Sequence, residues 1–443
     1  MAVASGTDLL SRADARPAEV PTQRPLREPS PERPVPDLAS RRVRRNRILT
    51  LLILLALIAA GLWLGLGRGH GTAATPPHRP HHHHRAPLTA KTNPRLEPDW
   101  EGDGKAVTLA FGGDVNFPSG STLGDRLADD PATALGTGVT SLLSGVNLSM
   151  VNLETALTDG TCPDPQPKTY DFDAPSSAIT ALQSAGVSLV TEANNHGEDC
   201  GEPGLQMALA ARAQSNYTIL GIGQNAAQAF TPYQVTIDGE HIGIIAATQV
   251  IDDDLQTAWT ATATQPGLAS AYDVSDLVST VEAARKIDDT VIVFLHWGVE
   301  LDACPDPLQE PLANLLVQAG ADIVIGSHAH VLLGGGYLGS AYVDYGLGNF
   351  AFYNAPPPTN QSGSLVITVT GRHIDGVVWR PALIEDELPV PLTGAAATSA
   401  LQNWANDRSC TDLAAGAGPS LATTATETSP APAAVAQQLS QDT

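Results

Sequence analysis

Basic residues are scarce over most of this chain. Beyond residue 100 there are 9 Lys and Arg against 39 Asp and Glu, whereas the first 100 residues carry 15 bases and 8 acids. So acidic a surface repels phosphate backbones, which argues against nucleic acid as a partner. Cysteine is sparse too. The four present, Cys162, Cys200, Cys304 and Cys410, all lie in the acidic part and fit an oxidising compartment. Long apolar runs are absent except for one, and apolar residues still make up 42% of the 443 residues. A folded, sizeable core is therefore expected rather than a disordered chain.

The one long run is residues 48–67, ILTLLILLALIAAGLWLGLG, directly after Arg41, Arg42, Arg44, Arg45 and Arg47. Twenty helical residues at about 1.5 Å each span roughly 30 Å of hydrocarbon. The flanking arginines predict that residues 1–47 stay in the cytoplasm as a Pro- and Arg-rich disordered tail, with everything after Arg68 outside the cell. A cleaved signal peptide is the competing reading; the length and late start of the run disfavour it. Residues 68–104, with the His81–His84 run, read as a Pro- and His-rich linker, residues 105–413 as the folded domain, and residues 414–443 as a disordered Ala-, Thr- and Pro-rich tail.

Within the domain, apolar runs alternate with helical patterns. VTLAFGGDV, LSMVNLE, VSLVTEANN, HIGIIAATQV, TVIVFLHWG and ADIVIGSHAH read as strands. SAITALQSAG, GLQMALAARAQS, VSDLVSTVEAARKID and PLQEPLANLLVQAG read as helices, and SLVITVTGRHIDGVVWRPALI as an antiparallel hairpin. This alternation predicts a layered α/β domain with its ligands at the carboxyl ends of strands.

The polar residues at those ends form a pattern. His196, His296, His328 and His330 sit at or just after strand exits, with Asp114, Asn116, Asn152, Glu154, Asn194 and Asn195 placed the same way. His241 and His373 precede strands and read as surface residues. Carboxylates, imidazoles and an amide oxygen, without thiolates, are the donors that a pair of divalent cations takes. The spacing of His328 and His330 would turn both rings to one side of an extended strand. Of the bases, Lys168 in PKTYDF falls nearest these segments and could meet a substrate carboxylate or phosphate; a solvated loop lysine is the alternative. Four cysteines allow three pairings. Cys162 and Cys200 each follow a site strand and could meet above it, leaving Cys304 with Cys410; free thiols remain the alternative.

The ordered segments FGGDVNF, VNLETALT, ANNHGEDCG, FLHWGVEL and ADIVIGSHAHV…YVDYGLGNF resemble the CapA family of capsule and poly-γ-glutamate synthesis proteins over about residues 105–385. That family is related to the calcineurin-like metallophosphoesterases. The resemblance implies a four-layer α/β/β/α sandwich and two divalent ions, which could be Mn, Mg, Zn or Fe. It implies Asp114 and His330 on the first metal, His296 and His328 on the second, Glu154 in place of a bridging aspartate, Asn195 as amide ligand and His196 as general acid or as the residue that orients substrate. Asn116 replaces a histidine of the phosphoesterase pattern, and Glu154 is one methylene longer than aspartate. Trp297 and Asn349 are candidates for substrate wall and supporting shell, with packing as the alternative. Three functions compete: a membrane-anchored factor for an anionic capsule polymer and its membrane synthase complex, a metal-dependent envelope hydrolase, and a non-catalytic binding module.

Overall fold

A computed structural model describes residues 93–418 and Leu421. The tail at 1–47, the apolar run at 48–67 and most of the two remaining flanking segments lie outside the described residues. Among the described residues no helix is long and apolar enough to cross a membrane.

Two sheets carry the domain. The strands are β1 (Val107–Val115), β2 (Leu148–Leu153), β3 (Leu189–Thr191), β4 (Thr218–Leu220), β5 (Tyr233–Ile237), β6 (Glu240–Thr248), β7 (Thr290–Trp297) and β8 (Ile323–His328). They continue with β9 (Gly335–Leu338), β10 (Ala341–Asp344), β11 (Asn349–Ala351), β12 (Gln361–Thr370), β13 (His373–Glu385) and β14 (Leu388–Pro391). The first sheet has eight strands in the order β14-β13-β12-β1-β2-β3-β4, with β11 also against β1. The second has six, in the order β9-β10-β8-β7-β6-β5. β1 to β4 run parallel, as do β6, β7, β8 and β10. β12 and β13 form the expected antiparallel hairpin.

Alternate residues of each strand face different cores, which makes the layers. Leu109, Phe111, Met150 and Leu189 of the first sheet meet Ile244, Ile292, Phe294 and Ile325 of the second. Each such side chain contributes about 1.5–3 kcal/mol by leaving water. Ala110, Val151 and Val190 point the other way, against α1 (Thr122–Asp129), α2 (Gly136–Leu142), α3 (Ala178–Ser184) and α4 (Gly201–Ser215). Val291, Val293 and Leu295 pack outward against α5 (Ser275–Ala284) and α6 (Gln309–Ala319). Helices thus cover both outer faces of the paired sheets, in the order α/β/β/α.

Several expectations need correction. The packed residues extend past both ends of 105–413: Trp100 donates to Asp289, Gly104 N–H to Glu240, and Ala414 pairs with Tyr337. Residues 93–104 and Ala414 lie in polar stretches, so their docking onto the sheets was not legible as periodicity. His241 and His373 are at the surface as expected, but they stand at the start of β6 and β13 rather than before them, and His241 bonds Asp289 at 3.0 Å. α1, α2 and α7 (Gly394–Asp407) went unrecognised; α7 buries no residue, so no apolar stripe betrays it. The sulfurs pair as Cys162–Cys200 and Cys304–Cys410, with no free cysteine.

Candidate metal centre

The parallel strands deliver their carboxyl ends to one place. Pairing between β1 and β2 shifts register between Phe111 and Asp114, a bulge at Gly112 and Gly113. A Cβ on Gly113 would lie 1.8 Å from the Gly348 carbonyl, so glycine permits the close approach of the 348 segment. The register beyond the bulge sets Asp114 between Asn152 of β2 and Asn349 of β11. On the second sheet His296 lies beside Ser327, and His328 ends β8.

Glu154 occupies the centre. It is fully buried, and neither carboxylate oxygen accepts a hydrogen bond. Its Oε1 lies 3.7 Å from His330 Nε2, 3.8 Å from His296 Nε2 and 3.9 Å from His196 Nε2. Asp114 Oδ2 is 3.3 Å from His330 Nδ1, and Asn195 Oδ1 is 2.7 Å from His296 Nε2. Two groups of donor atoms result, Asp114–Glu154–His296 and Glu154–His328–His330, each within 4.8 Å. Glu154 belongs to both. Across the two groups, Asp114 also faces His330, and the ring centroids of His296 and His328 are 4.7 Å apart.

The supporting polar groups are chained beneath these donors. Asn152 donates to Asp114 Oδ1 at 2.9 Å and lies 3.2 Å from His296 Nδ1. Asn194 donates to Asn152 Oδ1 at 2.9 Å and accepts the His196 N–H at 2.9 Å. Asn349 Oδ1 meets His330 Nδ1 at 2.9 Å. Asn116 accepts the Tyr353 N–H at 3.2 Å and its amide nitrogen has no partner.

The electrostatics follow from burial and crowded carboxylates. Burial, reinforced by Asp114, raises the Glu154 carboxyl well above its ordinary range. Burial holds His328 down to about 3 and lowers His296 and His196, so these rings stay neutral, the form that ligates cations. Burial opposes charge on His330 as well, but Glu154 and Asp114 outweigh it and raise that imidazole to about 10. A buried carboxylate without hydrogen-bond donors and a buried His328 Nδ1 without a partner are costly in dry packing. The donor set fits divalent cations, which would satisfy both.

Two expectations fail here. β8 stops at His328, and His328 and His330 have φ of 98° and 57°, so the pair does not lie on extended backbone. Positive φ at both residues, uncommon outside glycine, aims the two rings instead. Trp297 is no substrate wall: it is buried in the outer core, stacks on Tyr345 and donates to its carbonyl at 2.9 Å. β7 alternation explains this, since its neighbour His296 takes the inner face. Lys168 turns inward rather than into solvent, with its side chain 7% exposed. Asp199 was missed. It meets His196 Nδ1 at 2.5 Å, and its place three residues after His196, just ahead of α4, was the available signal.

Fold and site together define an α/β layered protein with a buried histidine–carboxylate cluster at the strand ends. The family model for the bacterial capsule synthesis protein PGA_cap matches residues 108–354, and the chain belongs to that family. It is 30% identical over 233 residues to the capsule biosynthesis protein CapA of Bacillus anthracis, covering 52% of this chain and 55% of that one. It is 31% identical over 216 residues to the PGA biosynthesis protein CapA of Bacillus subtilis (strain 168), covering 48% and 56%. The chain spans about half the length of the curated relatives it matches. Among solved structures, the NAD nucleotidase NadN of Haemophilus influenzae aligns with a TM-score of 0.39 and 11% identity over 77% of this chain and 60% of that one, a likeness that carries no argument.

Proposed function

We propose that this chain is a membrane-anchored, extracytoplasmic factor that supports synthesis, export or attachment of an anionic capsule polymer such as poly-γ-glutamate, through a metallophosphoesterase-like domain holding divalent cations. Family membership supports the polymer, and residues 48–67 support the anchor. One observation carries the cation site: Glu154, buried without a hydrogen-bond donor, shared by two groups of donor atoms. Asp114, Glu154, Asn195, His296, His328 and His330 would hold the cations, with Asn152, Asn194 and Asn349 orienting them. Bound cations neutralise and polarise a carboxylate or phosphoryl oxygen. That supply of positive charge matters on a domain so poor in bases.

A second reading, a metal-dependent phosphoester or envelope-polymer hydrolase, is favoured by His196. Asp199 accepts from its Nδ1, which leaves the Nε2 lone pair on the side of Glu154, where it would take a proton from an attacking water and pass it on to the leaving oxygen. The purified chain separates the readings through metal analysis and a generic phosphodiester assay with bis(p-nitrophenyl) phosphate. Cations without turnover support the polymer factor, and turnover abolished by His196→Ala supports the hydrolase. Absence of bound cations at millimolar supply, with His330→Ala harmless to stability, would overturn both in favour of a plain binding module.

A further inference from the structure

We infer that Lys168 is a positioning residue that acts through Asp199 on His196, rather than a contact for an anionic substrate. The inference deepens the hydrolase reading and rests on it for its kinetic consequence. An ammonium has three donors. Lys168 Nζ has three acceptors around it: the Asn195 carbonyl, Asp199 Oδ1 at 2.7 Å and Asp252 Oδ2 at 3.3 Å. The charge also lies 5.1 Å from the centre of the Trp259 ring, within range of a cation–π attraction. The two hydrogen bonds go to the Asn195 carbonyl and the buried Asp199, and the remaining side of the ammonium faces the Asp252 carboxylate, which repels an anionic ligand.

The Asp199 carboxylate is fully buried, and Lys168 is the cation that balances it. Its Oδ2 takes the Phe172 N–H at 2.6 Å and His196 Nδ1 at 2.5 Å. A carboxylate accepts only, so Nδ1 of His196 carries the hydrogen and Nε2 is left as the free nitrogen. The Phe172 ring, centred 4.2 Å from the imidazole, limits its rotation. Lys168 reaches the neighbouring candidate ligand as well: its bond to the Asn195 carbonyl fixes the backbone whose side-chain oxygen faces His296. One ammonium therefore orients both residues of the Asn195–His196 pair. Removing it leaves a buried carboxylate that must either protonate or draw in water, and in either state its hold on Nδ1 is weaker.

The loop should remain in place without Lys168. Cys162 is bonded to Cys200, and the Gln166 N–H donates to the Asp199 carbonyl at 2.9 Å. Lys168→Met, which keeps the length and loses the charge, is thus the variant of choice. Full-length wild type, Lys168→Met and Asp199→Asn, each with ¹⁵N-labelled histidine, are compared at one mildly alkaline pH by long-range ¹H–¹⁵N spectra. Metal content, thermal unfolding and phosphodiester turnover are read alongside. Wild-type His196 should show a single tautomer with hydrogen on Nδ1, and both variants a mixture. Turnover number, measured at saturating metal, should fall by about 10–100-fold with KM unchanged. A raised KM with the tautomer intact would make Lys168 a substrate contact and overturn the inference. An unchanged tautomer in a normally folded Lys168→Met protein would overturn it too. If the wild type turns nothing over, the hydrolase reading fails, and the tautomer measurement still decides what Lys168 does.

Discussion

Glu154→Gln tests the centre of the argument. The side chain belongs to both donor groups, whereas His328 belongs to one. A cation at about a hundredfold over its dissociation constant stabilises the folded state by about 2.7 kcal/mol, so two would contribute about 5.4 kcal/mol. Glutamine keeps the length and volume of glutamate but loses the charge, and should remove the response at both places. His328→Ala should leave the group around Asp114 and His296, and with it about half the response. The readout is the urea midpoint of each protein, with excess manganese and then with chelator, alongside metal content by mass spectrometry. The ordering expected is a full response for wild type, about half for His328→Ala and none for Glu154→Gln. Indifference of the wild type to chelator would refute the reasoning, as would a full response in Glu154→Gln, because either result would mean that the buried carboxylate serves packing alone.

Two further outcomes follow from features outside the site. Asp344 is fully buried at the end of β10; its Oδ1 accepts from Gly346 at 3.2 Å, its Oδ2 has no partner, and burial raises the carboxyl to about 7. An acid raised on folding costs nothing below its ordinary pKa near 4, and an increasing amount as pH climbs to 7, constant thereafter. Relative to wild type, Asp344→Asn should therefore gain about 4 kcal/mol between pH 4 and pH 8 in urea unfolding, and an equal difference at both pH values would refute the assignment. Cys304–Cys410 closes 106 residues, so Cys304→Ser with Cys410→Ser should lower stability by about 4–5 kcal/mol; a loss under about 1 kcal/mol would show the segment held by its other contacts.

The central strands and four of the helices, α3 to α6, were legible because buried parallel strands read as apolar runs and amphipathic helices as periodic ones. Elements held by particular contacts left no such trace. Residues 93–104 dock through Arg95 and Trp100 against Asp289 and through Gly104 against Glu240, and α7 rests on a stacked pair, Trp379 and Trp404. Trp297 shows the same limit inside a correctly read strand: the alternation was there, but which face looks to the site depends on how the sheets pair.

By itself the sequence determined the strand–helix order and the residue types at the strand exits, because those follow from local hydrophobic pattern and from which side chains bind cations. It also determined the acidity of the domain, with 9 bases against 39 acids beyond residue 100. Only the tertiary structure decided that Glu154 is common to both donor groups, that Lys168 faces Asp199 and not solvent, and that positive φ aims His328 and His330. Those outcomes depend on sheet register and on contacts between residues 30 to 200 positions apart, where distance along the chain carries no geometric information.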